Sequence, residues 1–193
     1  MKEAIQIKIS LDNTSPVIWR EILVPKDYNF YKLHHCIQVA MGWTTSHLFE
    51  FIAEGYKIGI LYESMDDYDE SNFIDSRNIK LMDLIQEPGE TFKYEYDFGD
   101  GWEHTVSIEQ FVTMENEQQL PICIGGELKC PPEDCGGYHG YYNFLSIMSN
   151  KHHPEYKETK MWVGGKYDSN EFNQDKVNKK MKNINRHIRS IDD

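Results

Sequence analysis

Long apolar runs are missing from this sequence. No stretch approaches the roughly 20 apolar residues that span a bilayer, and the opening MKEAIQIKIS contains no apolar signal core. Cysteine is also scarce, with four residues: Cys36, Cys123, Cys130 and Cys135. In a reducing compartment such thiols are free or bind metal rather than forming a disulfide framework. We therefore expect a cytoplasmic protein that makes no membrane contact.

Positive charge is in deficit as well. The 20 Lys and Arg residues stand against 32 Asp and Glu residues, which gives a formal net charge of −12. A phosphate backbone would on average be repelled, so direct nucleic-acid binding is disfavoured. The C-terminal segment is the exception, because its basic face contains Lys176, Lys179, Lys180, Lys182, Arg186 and Arg189. That face is either a solvated helix surface or a contact with nucleic acid or an acidic partner.

Internal repeats and linkers are absent from the sequence. A length of 193 residues with 39% apolar residues suits one domain with one substantial core. We expect residues 1–193 to form a single domain.

Alternation of polar and apolar residues predicts the first strands. In IQIKISL one face is apolar: Ile5, Ile7, Ile9 and Leu11. Period-two patterning is typical of a half-buried strand. Turn chemistry from Asn13 to Pro16 joins it to a second strand, Val17 to Val24, so we expect a hairpin. One or two further strands are expected between Leu48 and Ile60.

Apolar residues at steps of three and four predict helices. The first runs from Phe30 to Met41, with Asn29 as its cap, Gly42 at its end, and Lys32, His35 and Gln38 away from the apolar face. A second is expected near Tyr141 to Ser149. The last is expected to start with Asp168 and Glu171 as a capping box and to bury Val177, Met181, Ile184 and Ile188. The predicted fold class is α+β, with antiparallel hairpins packed against helices and an amphipathic C-terminal helix.

The segment Glu63 to Asp75 is crowded with acidic residues and shows little apolar periodicity. This composition favours a mobile loop. A cation site there is the alternative, although the glycine-bearing pattern of a calcium loop is missing.

The segment YEYDFGDGWEH, from Tyr94 to His104, predicts a hairpin with an aromatic face. That face comprises Phe92, Tyr94, Tyr96, Phe98, Trp102, His104, Val106 and Ile108. If Gly99 to Gly101 forms a three-residue loop, His104 lies opposite Tyr96, and Gly101 adopts a positive φ. Asp97 and Glu103 then lie on the other face.

Two interpretations of this hairpin remain open. Asp97, Asp100, Glu103 and His104 could form a general acid–base site, because a carboxylate can orient a histidine and shift its pKa. Alternatively, Asp100 stabilises the turn, Trp102 packs in the core, and His104 makes a buried hydrogen bond. The alternation favours the structural interpretation, since it separates Asp97 and Glu103 from His104.

The segment CPPEDCGGYHGYYNF, from Cys130 to Phe144, is the second distinctive stretch. Its Glu133 and Asp134 either face a ligand from a rigid loop or stabilise the start of the following helix. A metal site would combine Cys123, Cys130, Cys135 and His139. The paired Cys-x-x-Cys pattern of structural zinc is missing, so we expect buried thiols, no metal and no cofactor.

Two short matches to nucleotide-binding motifs are excluded by their context. The DFG at Asp97 to Gly99 lacks the other protein-kinase segments. The stretch Val163 to Lys166 lacks the first glycine and the Ser or Thr of a P-loop. Both are interpreted as turns or loops.

Six segments in order resemble the plasmid pRiA4b ORF-3-like family: PVIWREILVP, LHHCIQVAMGW, YEYDFGDGWEH, CPPEDCGGYHGYYNFL, HHPE and WVGGKYDSNEFN. The resemblance covers about Ile5 to Asn178. It implies an α+β fold of roll architecture in bacterial or archaeal proteins, some encoded on plasmids and mobile elements. It implies no established biochemical function.

The sequence thus predicts a binding or accessory module for a small ligand or a protein partner. Its site is expected where the two distinctive segments meet in space, with these candidate residues: Asp97, Asp100, Trp102, Glu103, His104, Glu133, Asp134, Gly136, Gly137, Tyr138 and Trp162. The alternatives are a hydrolase that uses His104 with Asp100 or another acid, with or without a metal, and a mobile-element accessory factor that contacts nucleic acid through the terminal helix.

Overall fold

The structure, a computed structural model, describes residues 1–60, 72–115 and 119–192, and these residues form a mixed sheet and a set of helices. The strands are β1 (Lys2–Leu11), β2 (Ile18–Pro25), β3 (Phe49–Ala53), β4 (Tyr56–Gly59), β5 (Phe73–Asp75), β6 (Thr91–Tyr96), β7 (Trp102–Met114) and β8 (Ile122–Glu127). The helices are α1 (Phe30–Met41), α2 (Leu81–Leu84), α3 (Gly137–Ser149), α4 (Tyr156–Trp162), α5 (Gln174–Met181) and α6 (Ile184–Asp192). The predicted α+β class is confirmed.

The eight strands are arranged in the order β5-β4-β3-β6-β7-β1-β2-β8. Neighbouring strands are antiparallel except β4 and β5, which are parallel. β6 and β7 therefore lie in the middle of the sheet. The predicted hairpin of β1 and β2 is confirmed, with Leu11 opposite Ile18.

One face of β1 is fully buried, as its alternating sequence predicts. Its core residues are Ile5, Ile7, Ile9 and Leu11, each with no exposed surface. Because these side chains point to one side of the sheet, they form the sheet side of the core, and α1 packs on that side.

Helix α1 has the predicted ends. The side chain of Asn29 accepts a hydrogen bond from the Lys32 amide, and Gly42 closes the helix with a φ of 99°. However, His35 and Gln38, which the periodicity places away from the apolar face, are both fully buried. The reason is that α1 lies between the sheet on one side and α5 and α6 on the other.

The C-terminal helix is two helices rather than one. α5 begins five residues later than predicted, with Asn173 in place of Asp168 as its cap, and the Asn173 side chain accepts from the Lys176 amide. Asp168 instead accepts a side-chain hydrogen bond from the Asn170 amide in a turn. The break comes at Asn183, where the amide donates to Lys180 O, three residues back, rather than to the fourth.

As far as position 71, the predicted acidic loop and its alternative cation site lie outside the described residues. The end of that segment, Phe73–Asp75, is not a loop but the edge strand β5. Among the described residues, none of the helices combines the length and apolar character needed to cross a bilayer.

Candidate functional site

The turn between β6 and β7 is longer than the sequence predicts. Tyr94 pairs with His104 and Tyr96 pairs with Trp102, so the turn has five residues, Asp97 to Gly101. The predicted three-residue loop, with His104 opposite Tyr96, is therefore wrong. The aromatic face itself is confirmed, because these four paired side chains have no exposed surface.

Asp97 causes the longer turn. Its φ of 56° takes the chain out of the strand at that residue. Its carboxylate oxygen Oδ1 accepts hydrogen bonds from the amides of Gly99, at 3.0 Å, and Asp100, at 3.3 Å. Phe98 consequently lies outside the aromatic face, 43% exposed, contrary to the prediction. Gly101 has the expected positive φ, 66°.

The two distinctive segments meet in space, as predicted. Asp100 Oδ2 accepts a hydrogen bond from the Gly136 amide at 3.2 Å. The Tyr138 hydroxyl accepts from the Glu103 amide at 2.8 Å, and the Tyr138 ring lies edge-on to Trp102 at a centroid distance of 5.1 Å. Polar and aromatic contacts thus bind the start of α3 to the β6–β7 turn.

A third segment, between α1 and β3, completes this junction. Glu133 Oε1 accepts hydrogen bonds from the Tyr96 hydroxyl at 2.7 Å and from the Thr44 amide at 3.1 Å. Neither Glu133 nor Asp134 lies in the first turn of α3, and Gly136, the cap residue, makes no side-chain capping bond. The geometry therefore does not support the alternative in which these acids stabilise the helix start.

His47 lies at the centre of the junction and was not predicted from the sequence. Its Nε2 atom is 3.6 Å from Asp97 Oδ2 and 3.2 Å from Asp134 Oδ1. The signal that could have found it is the polar run Thr44 to His47, which interrupts the apolar pattern directly after the end of α1. No periodicity relates this run to Asp97 or Asp134.

Beside His47 the surface forms an open cleft of about 380 Å³, which we call the junction cleft. Its lining residues are Thr45, Ser46, His47, Leu48, Asp97, Phe98 and Gly99. The lining combines a carboxylate, an imidazole, two hydroxyls and one exposed aromatic ring. Such a set can bind a small molecule by ionic, hydrogen-bonding and stacking contacts together.

His104 lies in the core and not in the cleft. It has no exposed surface, and its Nδ1 atom donates to Tyr94 O at 3.2 Å. Burial lowers the pKa of His104 to about 4. A neutral, enclosed imidazole is poorly suited to exchange protons with a substrate, so the geometry favours the structural interpretation of this residue.

The buried state of His104 predicts a pH dependence of stability. The native protein keeps the His104 ring neutral, whereas in the unfolded chain the ring takes up a proton near the ordinary histidine pKa of about 6.5. Because the unfolded chain then binds more protons, stability falls as the pH falls from about 6.5 toward 4 and is unaffected above that window. We expect His104→Gln to reduce this slope by up to about 1.4 kcal/mol per pH unit.

Urea unfolding titrations across this pH window check the expectation. His139→Gln is the matched control, because His139 is exposed, and it should keep the wild-type slope. His34, whose pKa burial also lowers, remains in both variants and cancels in the comparison. Equal slopes for wild type and His104→Gln would contradict the buried, neutral state.

The three cysteines of the alternative zinc site do not share a centre. The thiol of Cys123 contacts Gly125 O, that of Cys130 contacts Met41 Sδ, and that of Cys135 contacts Gly137 O. Burial raises the pKa of Cys130 and of Cys135 to about 12. The thiolate form needed for metal binding or nucleophilic attack is therefore disfavoured.

A second cavity, of about 300 Å³, lies between the end of α1, the loop before α3 and α5. Phe172, Lys176 and Lys180 are among its lining residues, as is Arg20. The Arg20 guanidinium is already hydrogen-bonded to backbone carbonyls, so it is not available to an anion. Trp162, a predicted binding residue, packs against Phe144 and lines neither cavity.

Comparison with known proteins agrees with the family resemblance and with the fold. The profile described as plasmid pRiA4b ORF-3-like protein matches residues 3–176. The chain belongs to the plasmid pRiA4b ORF-3-like family. A family relative, the uncharacterized protein y4hQ of Sinorhizobium fredii, is 38% identical over 178 residues, covering 91% of this chain and 89% of the relative.

A solved structure has the same fold. The crystal structure of a protein of unknown function, MM3350 from Methanosarcina mazei Go1, superposes with a TM-score of 0.79 at 30% sequence identity. The match covers 91% of this chain and 97% of that one. Neither relative's description names an activity or a ligand, so membership of the pRiA4b ORF-3-like family establishes no specific function.

Proposed function

We propose that the protein is a binding module and that the junction cleft is its ligand site. The observation that carries the proposal is that three segments distant in sequence are fixed to one another around one concave surface. Glu133 joins the segment after α1 to Tyr96, and Asp100 joins the turn to Gly136. A cleft whose walls are fixed before binding loses little conformational entropy when a ligand enters.

The charges around the cleft indicate the class of ligand. Asp97 lines it, Asp134 lies beside it, and the whole chain has a net charge of −12. This field repels phosphates and carboxylates and attracts cations. Ser46 and Thr45 add hydroxyl groups, and the exposed ring of Phe98 can stack on a cationic group. The proposed ligand is therefore a small cationic or hydroxyl-bearing molecule.

The free thiols are consistent with a cytoplasmic location, which is part of the proposal. Cys36, Cys123, Cys130 and Cys135 form no disulfides, as suits a reducing compartment. The nucleic-acid alternative would depend on the basic residues of the terminal helices, against a net charge of −12 for the whole chain. All six of these residues are exposed, and two of them, Lys176 and Lys180, also border the second cavity.

A fragment screen by NMR on the isotope-labelled full chain tests the proposal. We expect small amines, amidines and polyols to shift the amide resonances of Thr45 to Leu48 and Asp97 to Gly99, and a matched set of carboxylates to leave them unchanged. Phe98→Ala should weaken the amine and amidine hits several-fold, because the stacking surface is lost.

Tyr56→Ala is the matched control, since Tyr56 is a ring of similar exposure, 41%, on β4. It should leave the hits unchanged. The proposal fails if no fragment shifts the cleft resonances, or if hits cluster at the second cavity.

A further inference from the structure

Three potential ligand atoms converge at one edge of the junction cleft. They are His47 Nε2, Asp97 Oδ2 and Asp134 Oδ1, and all lie within 4.8 Å of one another. The three residues come from three different segments: the stretch before β3, the β6–β7 turn and the loop before α3. Residues so far apart in sequence come together here only because the junction holds them.

Internal hydrogen bonds do not account for this convergence. His47 Nε2 is buried at the atomic level and makes no hydrogen bond, although it points toward two carboxylates. The Asp97 side chain is nearly buried, with an exposure of 10%. Its Oδ1 atom accepts hydrogen bonds from the turn amides, and its Oδ2 atom faces His47. A buried nitrogen without a hydrogen bond, faced by two carboxylate oxygens, is an arrangement that a shared metal ion would satisfy.

The separations fit a metal ion. Zinc bonds to imidazole nitrogen and carboxylate oxygen are about 2.0–2.2 Å long, so neighbouring ligand atoms around one ion lie roughly 3.0–3.5 Å apart. The distances of 3.2 Å and 3.6 Å from His47 Nε2 to the two carboxylates are close to that range. The Asp134 side chain is 73% exposed, so packing does not prevent it from adjusting around an ion.

The backbone holds these groups in uncommon conformations. Asp97 and Asp134 have φ values of 56° and 57°, and Thr45, two residues before His47, has a φ of 65°. A β-branched residue such as threonine rarely adopts this region. Strain of this kind persists where the surrounding structure imposes it and is concentrated at ligand sites.

We propose that His47, Asp97 and Asp134 bind one divalent first-row transition-metal ion, of which Zn²⁺ and Mn²⁺ are the leading candidates. This inference rests on the proposed function, because the ion would occupy the edge of the same cleft. One imidazole with two carboxylates suits these ions better than Ca²⁺ or Mg²⁺, which prefer oxygen ligands alone. Three protein ligands leave at least one position open toward the cleft, as in sites where a metal contacts a ligand or water.

Calorimetric titration of the chelator-treated full chain with ZnCl₂, and separately with MnCl₂, tests the proposal. We expect one ion per chain, with at least a tenfold weaker affinity in His47→Ala and in Asp134→Asn. Asp97→Asn keeps the oxygen that accepts the turn amides and should weaken binding to a similar extent. Paramagnetic broadening by Mn²⁺ should be centred on the amides of His47, Asp97 and Asp134.

His152→Ala is the matched control, because His152 is exposed and distant in sequence from the cluster, and it should bind like wild type. Circular dichroism verifies that each variant is folded, and Asp134→Asn, at an exposed position, provides a folded variant in any case. Absence of binding, or binding that His47→Ala and Asp134→Asn leave unchanged, would refute the metal site.

The two proposals fail in different ways. Fragment shifts at the cleft in chelator-treated protein, together with absent metal binding, would retain the binding module and reject the ion. Stoichiometric metal binding without any fragment hit would retain the ion and reject the small organic ligand.

Discussion

Gly137→Ala should lower the free energy of unfolding by about 2–4 kcal/mol and disable the junction cleft at the same time. Gly137 has a φ of 64°, and a Cβ atom there would lie 2.4 Å from Asp100 O. An alanine therefore adopts a left-handed backbone, at about 1–2 kcal/mol, and also forces the start of α3 away from the turn. The hydrogen bond from Gly136 to Asp100 is lost with that movement.

Gly164→Ala separates these two effects. Gly164 has a similar φ of 77°, but a Cβ atom there would have nothing within 4 Å. It should bear only the backbone cost of about 1–2 kcal/mol and keep wild-type binding at the cleft. Urea unfolding, with fragment and metal titrations, measures both effects. Equal losses of stability and unchanged binding in the two variants would show that the close approach to Asp100 does not matter.

Short sequence patterns predicted the strands and helices whose ends and buried faces depend on neighbouring residues. The period of two in β1 and the caps of α1 at Asn29 and Gly42 are properties of short windows, and the structure confirms both. The orientation of α1 was predicted less well. His35 and Gln38 are polar, yet both are buried: His35 contacts His187 of α6, and Gln38 donates to the Tyr94 hydroxyl on β6, so no short window contains that information.

The hairpin shows how one side chain can override a pattern. Alternation through Phe98 assumes that the strand continues to that residue. Asp97 instead bonds its own carboxylate to the following amides and ends the strand. Aspartate does this readily, because its short side chain competes with the backbone for donors. The register with His104 consequently shifts by two residues, while the buried face stays the same.

The meeting of the two distinctive segments was predicted, but His47 and the cleft beside it were not. Both distinctive segments were expected to meet, and the contact between Asp100 and Gly136 confirms this. His47 stands outside both segments, in a polar run with no recognisable spacing to Asp97 or Asp134. A site assembled from three loops depends on tertiary structure, so its composition becomes visible only when the fold is known.

Replacement of Arg20, which lies outside the junction cleft, should have the largest effect on stability. Arg20 is 2% exposed, and its guanidinium donates to four carbonyls: Ala40 O at 2.9 Å, Trp19 O at 2.6 Å, Glu127 O at 2.7 Å and Leu128 O at 2.7 Å. It thereby links the end of α1 to the end of β8. Burial lowers the pKa of Arg20, but an arginine stays protonated.

Arg20→Met should lower the free energy of unfolding by about 3–5 kcal/mol, since two or more buried carbonyls lose their donors at about 1–3 kcal/mol each. Arg20→Lys keeps the charge but not the planar guanidinium, so its free energy of unfolding should lie between those of the wild type and Arg20→Met. Arg77→Met is the matched control. Arg77 is 55% exposed and pairs with Asp75 at the surface, which predicts a loss of less than about 1 kcal/mol.

The effect of Arg20→Met should also reach the junction cleft, although Arg20 lies outside it. Leu128, whose carbonyl it binds, leads into the loop that carries Glu133 and Asp134, and Trp43 Nε1 donates to Pro131 O in the same loop at 3.0 Å. Without Arg20 the loop loses its attachment at Leu128, while Trp43 still binds Pro131 and Glu133 still binds Thr44 and Tyr96. Metal affinity should therefore fall in Arg20→Met under conditions where the variant is still folded, and remain unchanged in Arg77→Met. A large loss of stability with wild-type metal affinity would mean that the loop keeps Asp134 in place without Arg20.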